Sequence, residues 1–516
     1  MNIYSEKIII IDYGSQYTKL IARRIREIGV FSEVVPYNKK IDSFSDIKDI
    51  KGIILSGGPY SIYEKNAPYI DERIFSLGVP ILGICYGMQV VTHYFGGVIT
   101  KGVKREYGKS SLLLIKDDIL FRGIKKNSFI VWMSYGDLIS KLPKGFSNLA
   151  KAKGAEYAAI KKDDKEIYAL QFHPEVSHTK YGKKILYNFI VKICKCKRLW
   201  SPKNFIKENV EYIKERVGNN KILCALSGGV DSSVTAAILH RAIGDNLITI
   251  FVNTGLLRKN EHDIVVKTFR DTLGYRLIYV DASNEFISAL KEITDPEMKR
   301  KIIGRKFIEI FESKAKGLSD VKFLAQGTLY PDVIESAGDS SSAVTIKSHH
   351  NVGGLPETMN LELVEPLRDL FKDEVRRVGL ELGLSEELIY RHPFPGPGLA
   401  VRILGEVTEE KLSILREADY IFIEELKKNG LYRKIWQAFA VLLPIKTVGV
   451  MGDKRTYEYV LALRAVDSVD GMTASCHNIS HYLLEDISNR IINEVNGINR
   501  VVFDISSKPP ATIEWE

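Results

Sequence analysis

Cys85 stands in the run Gly83-Ile84-Cys85-Tyr86-Gly87, between an apolar stretch at 79–84 and residues spaced like a helix. Small residues two positions either side of a thiol allow the tight strand-to-helix turn that pushes one side chain out. The positive end of the helix favours a thiolate there, and backbone N–H groups of the turn can hold an oxyanion. Such a nucleophile needs a base. His173 and Glu175 are two apart in Leu170-Gln171-Phe172-His173-Pro174-Glu175. On extended backbone they project to one side, so Glu175 can orient His173 and His173 can activate Cys85. Ser56-Gly57-Gly58-Pro59 follows another apolar run ending at Leu55. Its glycines permit a close backbone approach and a second oxyanion donor. Taken singly, a buried cysteine is usually a small hydrophobe and a lone histidine a satisfied core residue. The three pieces together, each at a strand end, point instead to thiol nucleophile chemistry.

A second constellation is Ser227-Gly228-Gly229-Val230-Asp231-Ser232-Ser233, between an apolar run at 221–226 and a helical pattern at 230–241. Glycines let backbone amides converge on an anion, the hydroxyls add donors, and the helix N-terminus adds a favourable dipole. Asp231 can hold Mg²⁺ against the phosphates. No Gly-Lys-Ser/Thr follows, so the loop is not of the Walker A type.

Both constellations require strands that deliver loops to one edge. Apolar runs at 8–11, 52–55, 79–84 and 166–172 read as strands, with helices at 17–28 and 88–95. A basic, turn-rich segment at 195–205 interrupts this alternation, which then restarts. Strands are expected at 221–226, 247–252, 276–280 and 321–325, and helices at 230–241 and 261–273. Strands alternating with helices predict parallel sheets covered on both faces. A turn cluster at 392–400 marks a further boundary. The expected fold class is α/β: two doubly wound domains with mainly parallel sheets, plus a smaller α+β C-terminal dimerisation domain. The expected divisions are 1–198, 199–391 and 392–516. The stretch 336–357 is rich in Ser, Gly and His without a period, and a loop of that length is usually functional or mobile.

A chain of 516 residues is long enough for about three domains. Hydrophobic content of 45% and charged content of 27% are ordinary for a globular protein. The net charge of +9, from 73 basic and 64 acidic residues, reads as a mixed solvated surface. No nucleic-acid partner is expected from it, although a local basic pocket for phosphates fits equally well. Five scattered cysteines without paired Cys-x-x-Cys motifs argue against a disulfide framework or a structural zinc site. Cys194 and Cys196, in a lysine-rich stretch, are expected to be linker thiols. No apolar run is long enough to span a bilayer, so a cytoplasmic protein with no membrane partner is expected.

The Ser-Gly-Gly-Pro, Gly-Ile-Cys-Tyr-Gly-Met-Gln and Phe-His-Pro-Glu set resembles class I glutamine amidotransferase domains over about the first 195 residues. The resemblance implies that Cys85 attacks the glutamine side-chain amide. It also implies that Gln89 helps bind glutamine, and that Gly58 and Tyr86 supply backbone N–H donors. The Ser227–Ser233 loop resembles that of the N-type ATP pyrophosphatases, which cleave ATP to AMP and pyrophosphate. By the same resemblance residues 251–258, with Val252, lie beside the adenosine, and Gln326 and Gly327 lie near the nucleotide. Asp332, Glu335 and Ser336 are candidates for polar or metal contacts, with helix capping an equal alternative. Asn253 stands where many relatives carry Asp, and Tyr135 where they often carry His; the latter implies an altered glutamine-site wall or domain contact.

Residues 299–307, 346–356, 391–398, 442–453 and 506–516 resemble the amidotransferases that aminate XMP to GMP. This implies XMP, ATP and glutamine as substrates, with Mg²⁺ accompanying ATP. It implies XMP contacts from Arg300, Lys508, Thr512 and Glu514, a lid carrying Lys347 and His349, and a homodimer. His349 and His350 as a metal pair are a weaker reading. Two rivals stay open: another amidotransferase or ligase of the same loop type, such as one making an amide or thiolating tRNA, and a non-catalytic nucleotide sensor or RNA-binding protein.

Overall fold

The computed structural model describes residues 2–44, 47–318, 320–338, 361–451, 454–468, 471 and 473–516. The chain divides into two compact units. One holds Met1–Glu208 and the helix Tyr330–Gly338; the other holds Asn209–Leu329 and the described residues from 361 onward.

The first unit is built on a nine-stranded sheet. Its strands are β1 (Lys7–Asp12), β2 (Phe31–Pro36), β3 (Ile50–Leu55), β4 (Ile81–Ile84), β5 (Val98–Leu114), β6 (Ser128–Lys141), β7 (Phe146–Ala152), β8 (Ala155–Lys162) and β9 (Ile167–Leu170). Their order is β2-β1-β3-β4-β9-β8-β7-β5-β6. The first five are parallel and the rest antiparallel. Ile8, Ile9, Ile10 and Ile11 are all buried, as a central parallel strand covered on both faces requires. The helix Thr18–Ile28 buries Ile21, Ala22 and Ile25 and ends at Gly29, whose φ of 97° closes it in the left-handed region.

Cys194 and Cys196 are not linker thiols. Both are buried in the first unit, and a Cβ on Gly52 of β3 would lie 2.5 Å from Cys194 Sγ. The helical turn Asn188–Ile193 carries the chain back against the sheet, so the lysines face solvent while the thiols pack. Burial pushes both thiols up, Cys196 to about 12.

The second unit contains a parallel sheet of β10 (Lys221–Ala225), β11 (Leu247–Asn253), β12 (Leu277–Asp281), β13 (Val321–Ala325) and β14 (Glu362–Val364). The order β12-β11-β10-β13-β14 reverses direction between β10 and β13, which is where open α/β sheets bind ligands. A second sheet joins β15 (Gln437–Met451), β16 (Lys454–Ser468), β17 (Ala474–Cys476) and β18 (Ile498–Asp504). One apolar core runs from Leu223 and Ile250 through Leu399 and Phe422 to Leu463 and Ile498. The helix Pro296–Lys316 starts with Asp295 accepting from the Met298 N–H and with proline in its first turn. The expected helix at 261–273 is Glu261–Val266 continued by a wider turn, Lys267–Thr272. The α/β class, with parallel sheets and a distinct C-terminal part, agrees with the sequence reading. Among the described residues no helix is long and apolar enough to cross a membrane.

Candidate active sites

In the first unit the parallel strands deliver their C-terminal ends to one edge. Ser56 follows β3, Cys85 follows β4, and His173 comes three residues after β9. Cys85 has φ 53° and ψ −106°, a conformation that L residues avoid and that is held by its surroundings. The flanking glycines explain how. A Cβ on Gly87 would lie 2.3 Å from Leu55 O, and one on Gly83 would lie 2.5 Å from Gly87 O. Only backbone fits in the elbow.

His173 and Glu175 are buried, at 3% and 1% exposure, and His173 Nδ1 meets Glu175 Oε1 at 2.6 Å. Burial alone pushes the His173 imidazole down. The facing Glu175 carboxylate and the hydrogen bond with Cys85 outweigh it and hold the pKa well above the ordinary histidine value. A protonated imidazole beside the sulfur is the setting that stabilises a thiolate. A Cβ on Gly57 would lie 3.1 Å from His173 Cε1 and 3.6 Å from Cys85 Cβ, so the Ser56–Pro59 loop borders the same spot. In the first turn after Cys85, Gly87 N–H donates to Ser56 O, and Met88 and Gln89 N–H groups to Cys85 O. Tyr86 is the first residue of the helix Tyr86–Tyr94, where opening N–H groups have no partner within the helix. Gln89 is buried, and its Oε1 has no partner among the described residues. The structure thus brings Cys85, His173, Glu175 and the Gly58, Tyr86 and Gln89 segments together.

Further contacts complete the elbow. The Cys85 thiol donates to Ser134 O at 3.0 Å. Strand β6 stands at the far edge of the sheet order, yet Met133 bridges to Phe172 and His173 N–H donates to Trp132 O at 3.0 Å. The long β5–β6 hairpin therefore curls back so that Ser134 and Trp132 border the elbow. Tyr17 sets its ring edge-on to His173, centroids 5.0 Å apart. The Thr179 hydroxyl donates to His173 O at 2.6 Å.

In the second unit Ser227–Ser233 follows β10 and Gln326–Thr328 follows β13, on either side of the switch point. Gly228 adopts φ 74°, which turns the loop so that successive N–H groups can face one point. A Cβ on Gly327 would lie 3.5 Å from Asp231 Cβ, so the two loops meet. Ser232 Oγ links back to Ser227 Oγ at 3.0 Å, and the Ser233 hydroxyl donates to Gly229 O. Val252 is buried on β11 beside them. The sequence did not point to Lys372, whose Nζ donates to Asp231 Oδ1 and Oδ2 at 2.6 and 2.5 Å. Arg391, the first residue of the 391–398 stretch, donates to Gly228 O at 2.9 Å and pairs with buried Glu261. Asn253 donates to Asp281 Oδ1 at 3.3 Å, so a carboxylate lies beside it. Asp332 lies in the helix Tyr330–Gly338. Lys347, His349 and His350 lie outside the described residues, as do the side chains of Glu335, Ser336 and Tyr135.

Residues Thr512 and Glu514, with Asp504, Ser506 and Trp515, line an open pocket of about 570 Å³. Glu514 receives Arg402 Nη2 at 2.8 Å and Gln437 Nε2 at 2.6 Å. Arg300 Nη2 donates to Glu516 O at 2.6 Å. Lys508 Nζ donates to Gly471 O at 2.8 Å, and Lys508 is not among the residues lining that pocket.

These sites match known families. Residues 9–193 match the glutamine amidotransferase class-I model, 220–272 a tRNA methyl transferase HUP domain model, and 424–515 the GMP synthase C terminal domain model. A GMP synthase [glutamine-hydrolyzing] of a Nitratiruptor species is 59% identical, over 99% of this chain and 99% of its own. The chain belongs to the glutamine-hydrolysing GMP synthase family. The family member of Aquifex aeolicus is 58% identical, again over 99% of both chains. Among solved structures, a glutamine amidotransferase from Thermotoga maritima is similar to 37% of this chain and 99% of its own, at 18% identity and TM-score 0.33.

Proposed function

We infer that the chain carries out glutamine-dependent GMP synthesis, with glutamine hydrolysis at the Cys85 elbow and nucleotide amination at the Ser227–Ser233 loop. In the first half Cys85 Sγ attacks the side-chain amide carbon of glutamine. The oxyanion takes the Gly58 and Tyr86 N–H groups, and Gln89 holds the substrate. His173, oriented by Glu175, protonates the departing ammonia. Water then attacks the glutamyl thioester, with His173 accepting its proton, and glutamate leaves with the thiol restored.

In the second half the XMP C2 oxygen attacks the ATP α-phosphorus, and pyrophosphate departs. Adenylation turns a carbonyl oxygen into a good leaving group. Ammonia then adds at C2 and AMP leaves, giving GMP. Ser227, Gly228, Gly229, Val230, Ser232 and Ser233 cradle the pyrophosphate, while Val252, Gln326 and Gly327 border the nucleotide. The donor set fits Mg²⁺. Asp231 offers hard oxygens and already attracts one cation, Lys372, and Mg²⁺ is usually held by one or two carboxylates with the phosphates. When bound, the ion offsets charge on those phosphates. Arg300, Lys508, Thr512 and Glu514 are assigned to XMP, and Lys347 and His349 to the lid.

The working division is an amidotransferase domain at 1–198, an ATP pyrophosphatase domain at 199–391, and a dimerisation and XMP-binding domain at 392–516. Exposed Val448, Val450 and Tyr457, with Val448 opposite Tyr457 across β15 and β16, support a homodimer. Five unpaired cysteines suit a reducing cytoplasm.

The observation that carries the reading is one chain holding both a buried Cys-His-Glu set and a phosphate loop at a sheet switch point. The test is a substrate panel. The pure protein is incubated with ATP, Mg²⁺ and ammonia, with XMP, UTP, deamido-NAD or aspartate added separately, and products are read by mass spectrometry. GMP, AMP and pyrophosphate from XMP alone are expected. Absence of GMP, with AMP formed from another acceptor, overturns the substrate assignment.

A further inference from the structure

Lys299 is an unusual residue. Its side chain is fully buried, at 0% exposure, where a lysine is almost never found unless paired. Its ammonium has three donors to satisfy, and three acceptors surround it: Ala400 O at 3.1 Å, Ile403 O at 2.7 Å and Glu516 Oε2 at 2.6 Å. Two of these belong to the tight turn Gly398–Arg402 and the residue after it. The third reaches across 217 positions of sequence to Glu516. The next residue on the same helix, Arg300, donates to the main-chain oxygen of Glu516.

The segment that Glu516 anchors has little structure of its own. Residues 505–516 contain no regular helix or strand, and Arg464 accounts for Thr512 O and Ile513 O. Glu514, two residues before Glu516, lines the pocket while its carboxylate accepts from Arg402 and Gln437. A short irregular segment cannot fix that arrangement by itself, because each residue left free keeps its backbone entropy. A buried ion pair is a poor source of net stability, and in some proteins it serves instead to fix a single arrangement.

We propose that Lys299 is a positioning residue for nucleotide amination: through its buried pair with Glu516 it locks the 512–516 segment so that Glu514 and Arg300 present a fixed face to XMP. The proposal rests on the assignment of Glu514 and Arg300 to XMP given above. Lys299 itself touches no substrate. It works by holding one end of the wall, while Arg402 and Gln437 hold the Glu514 carboxylate from behind.

The test is steady-state GMP formation from XMP, ATP, Mg²⁺ and ammonia by full-length Glu516→Gln, Lys299→Met, the double variant and Glu514→Gln. Glu516→Gln keeps the size of the side chain and removes its charge. The KM for XMP is expected to rise about tenfold or more in both single latch variants, with the ATP KM and the rate at saturating XMP within about twofold. A general structural lesion would move all three. The double variant is expected to be no worse than Lys299→Met, because the two changes delete one interaction. If Lys299→Met fails to fold, Glu516→Gln decides alone. If Glu514→Gln raises the XMP KM while both latch variants leave it within twofold of wild type, the latch is wrong and the XMP assignment stands. If Glu514→Gln also leaves it unchanged, the XMP assignment falls and the latch with it.

Discussion

Glu175→Gln isolates what a single charge does at the glutaminase elbow. The change is nearly isosteric, and the amide can still meet His173 Nδ1, so geometry is kept while charge is lost. The pair it alters is buried, with 3% and 1% exposure, and 2.6 Å long. Removing the carboxylate that orients a catalytic histidine costs up to about 10⁴ in kcat in comparable triads, so glutamine-dependent turnover should fall by roughly 10²- to 10⁴-fold. The reason is specific: without the Glu175 carboxylate, burial dominates and His173 loses its proton, so Cys85 loses its cationic neighbour. The sign extends to stability. A histidine whose folded pKa is raised contributes stability that is complete below its unfolded value, about 6.5, and is lost as pH climbs through the raised value. The melting-temperature gap between wild type and Glu175→Gln should therefore be widest at and below pH 6.5 and close in the alkaline range. The assay is glutamate release from glutamine across pH, beside GMP formation from free ammonia as an internal control. Retention of more than about a third of wild-type glutaminase would refute the charge argument, as would an equal fall in the ammonia-driven rate.

Cys85→Ala should abolish glutamine use while keeping GMP formation from ammonia within about twofold, and equal loss of both rates would defeat the two-site account. Gly87→Ala places a Cβ 2.3 Å from Leu55 O; it should cost about 1–3 kcal/mol in urea unfolding and roughly 100-fold in glutaminase rate, since the elbow must shift. His392 tests the second unit. It is buried, hydrogen-bonded through Nε2 to Tyr432 O and through Nδ1 to Ala438 N, and burial pushes its pKa down to about 4. A depressed histidine contributes stability present above pH 6.5 and lost as pH falls toward 4, by roughly 3 kcal/mol at most. His392→Gln should flatten that part of the stability–pH curve, and an unchanged acid slope would contradict the assignment.

Much of this molecule could be read from short segments. The turn at Cys85, the phosphate loop at Ser227 and the strand at 8–11 are local objects. Their glycine spacing, hydroxyls and apolar runs are dictated by backbone sterics and burial over a few residues. The His173–Glu175 pair was legible for the same reason, being two positions apart. Cys194 and Cys196 were misread because the lysines and arginine around them say nothing about which face a turn presents to the sheet.

What only the tertiary structure decided are the partners that sequence separation hides. Ser134 reaches Cys85 because a hairpin at the sheet edge curls back. Lys372 meets Asp231 from 141 residues away, and Lys299 meets Glu516 from 217. Such pairs have no periodicity or spacing to betray them, because a charge in one element leaves no mark on the sequence of the element that neutralises it. The sequence by itself determined the two reactive loops and the alternation that delivers them to sheet edges, since these obey short-range rules. The fold determined which distant groups meet, Lys372 at the partly exposed Asp231 and Glu516 at the fully buried Lys299, because partners are set by where the packed chain places them.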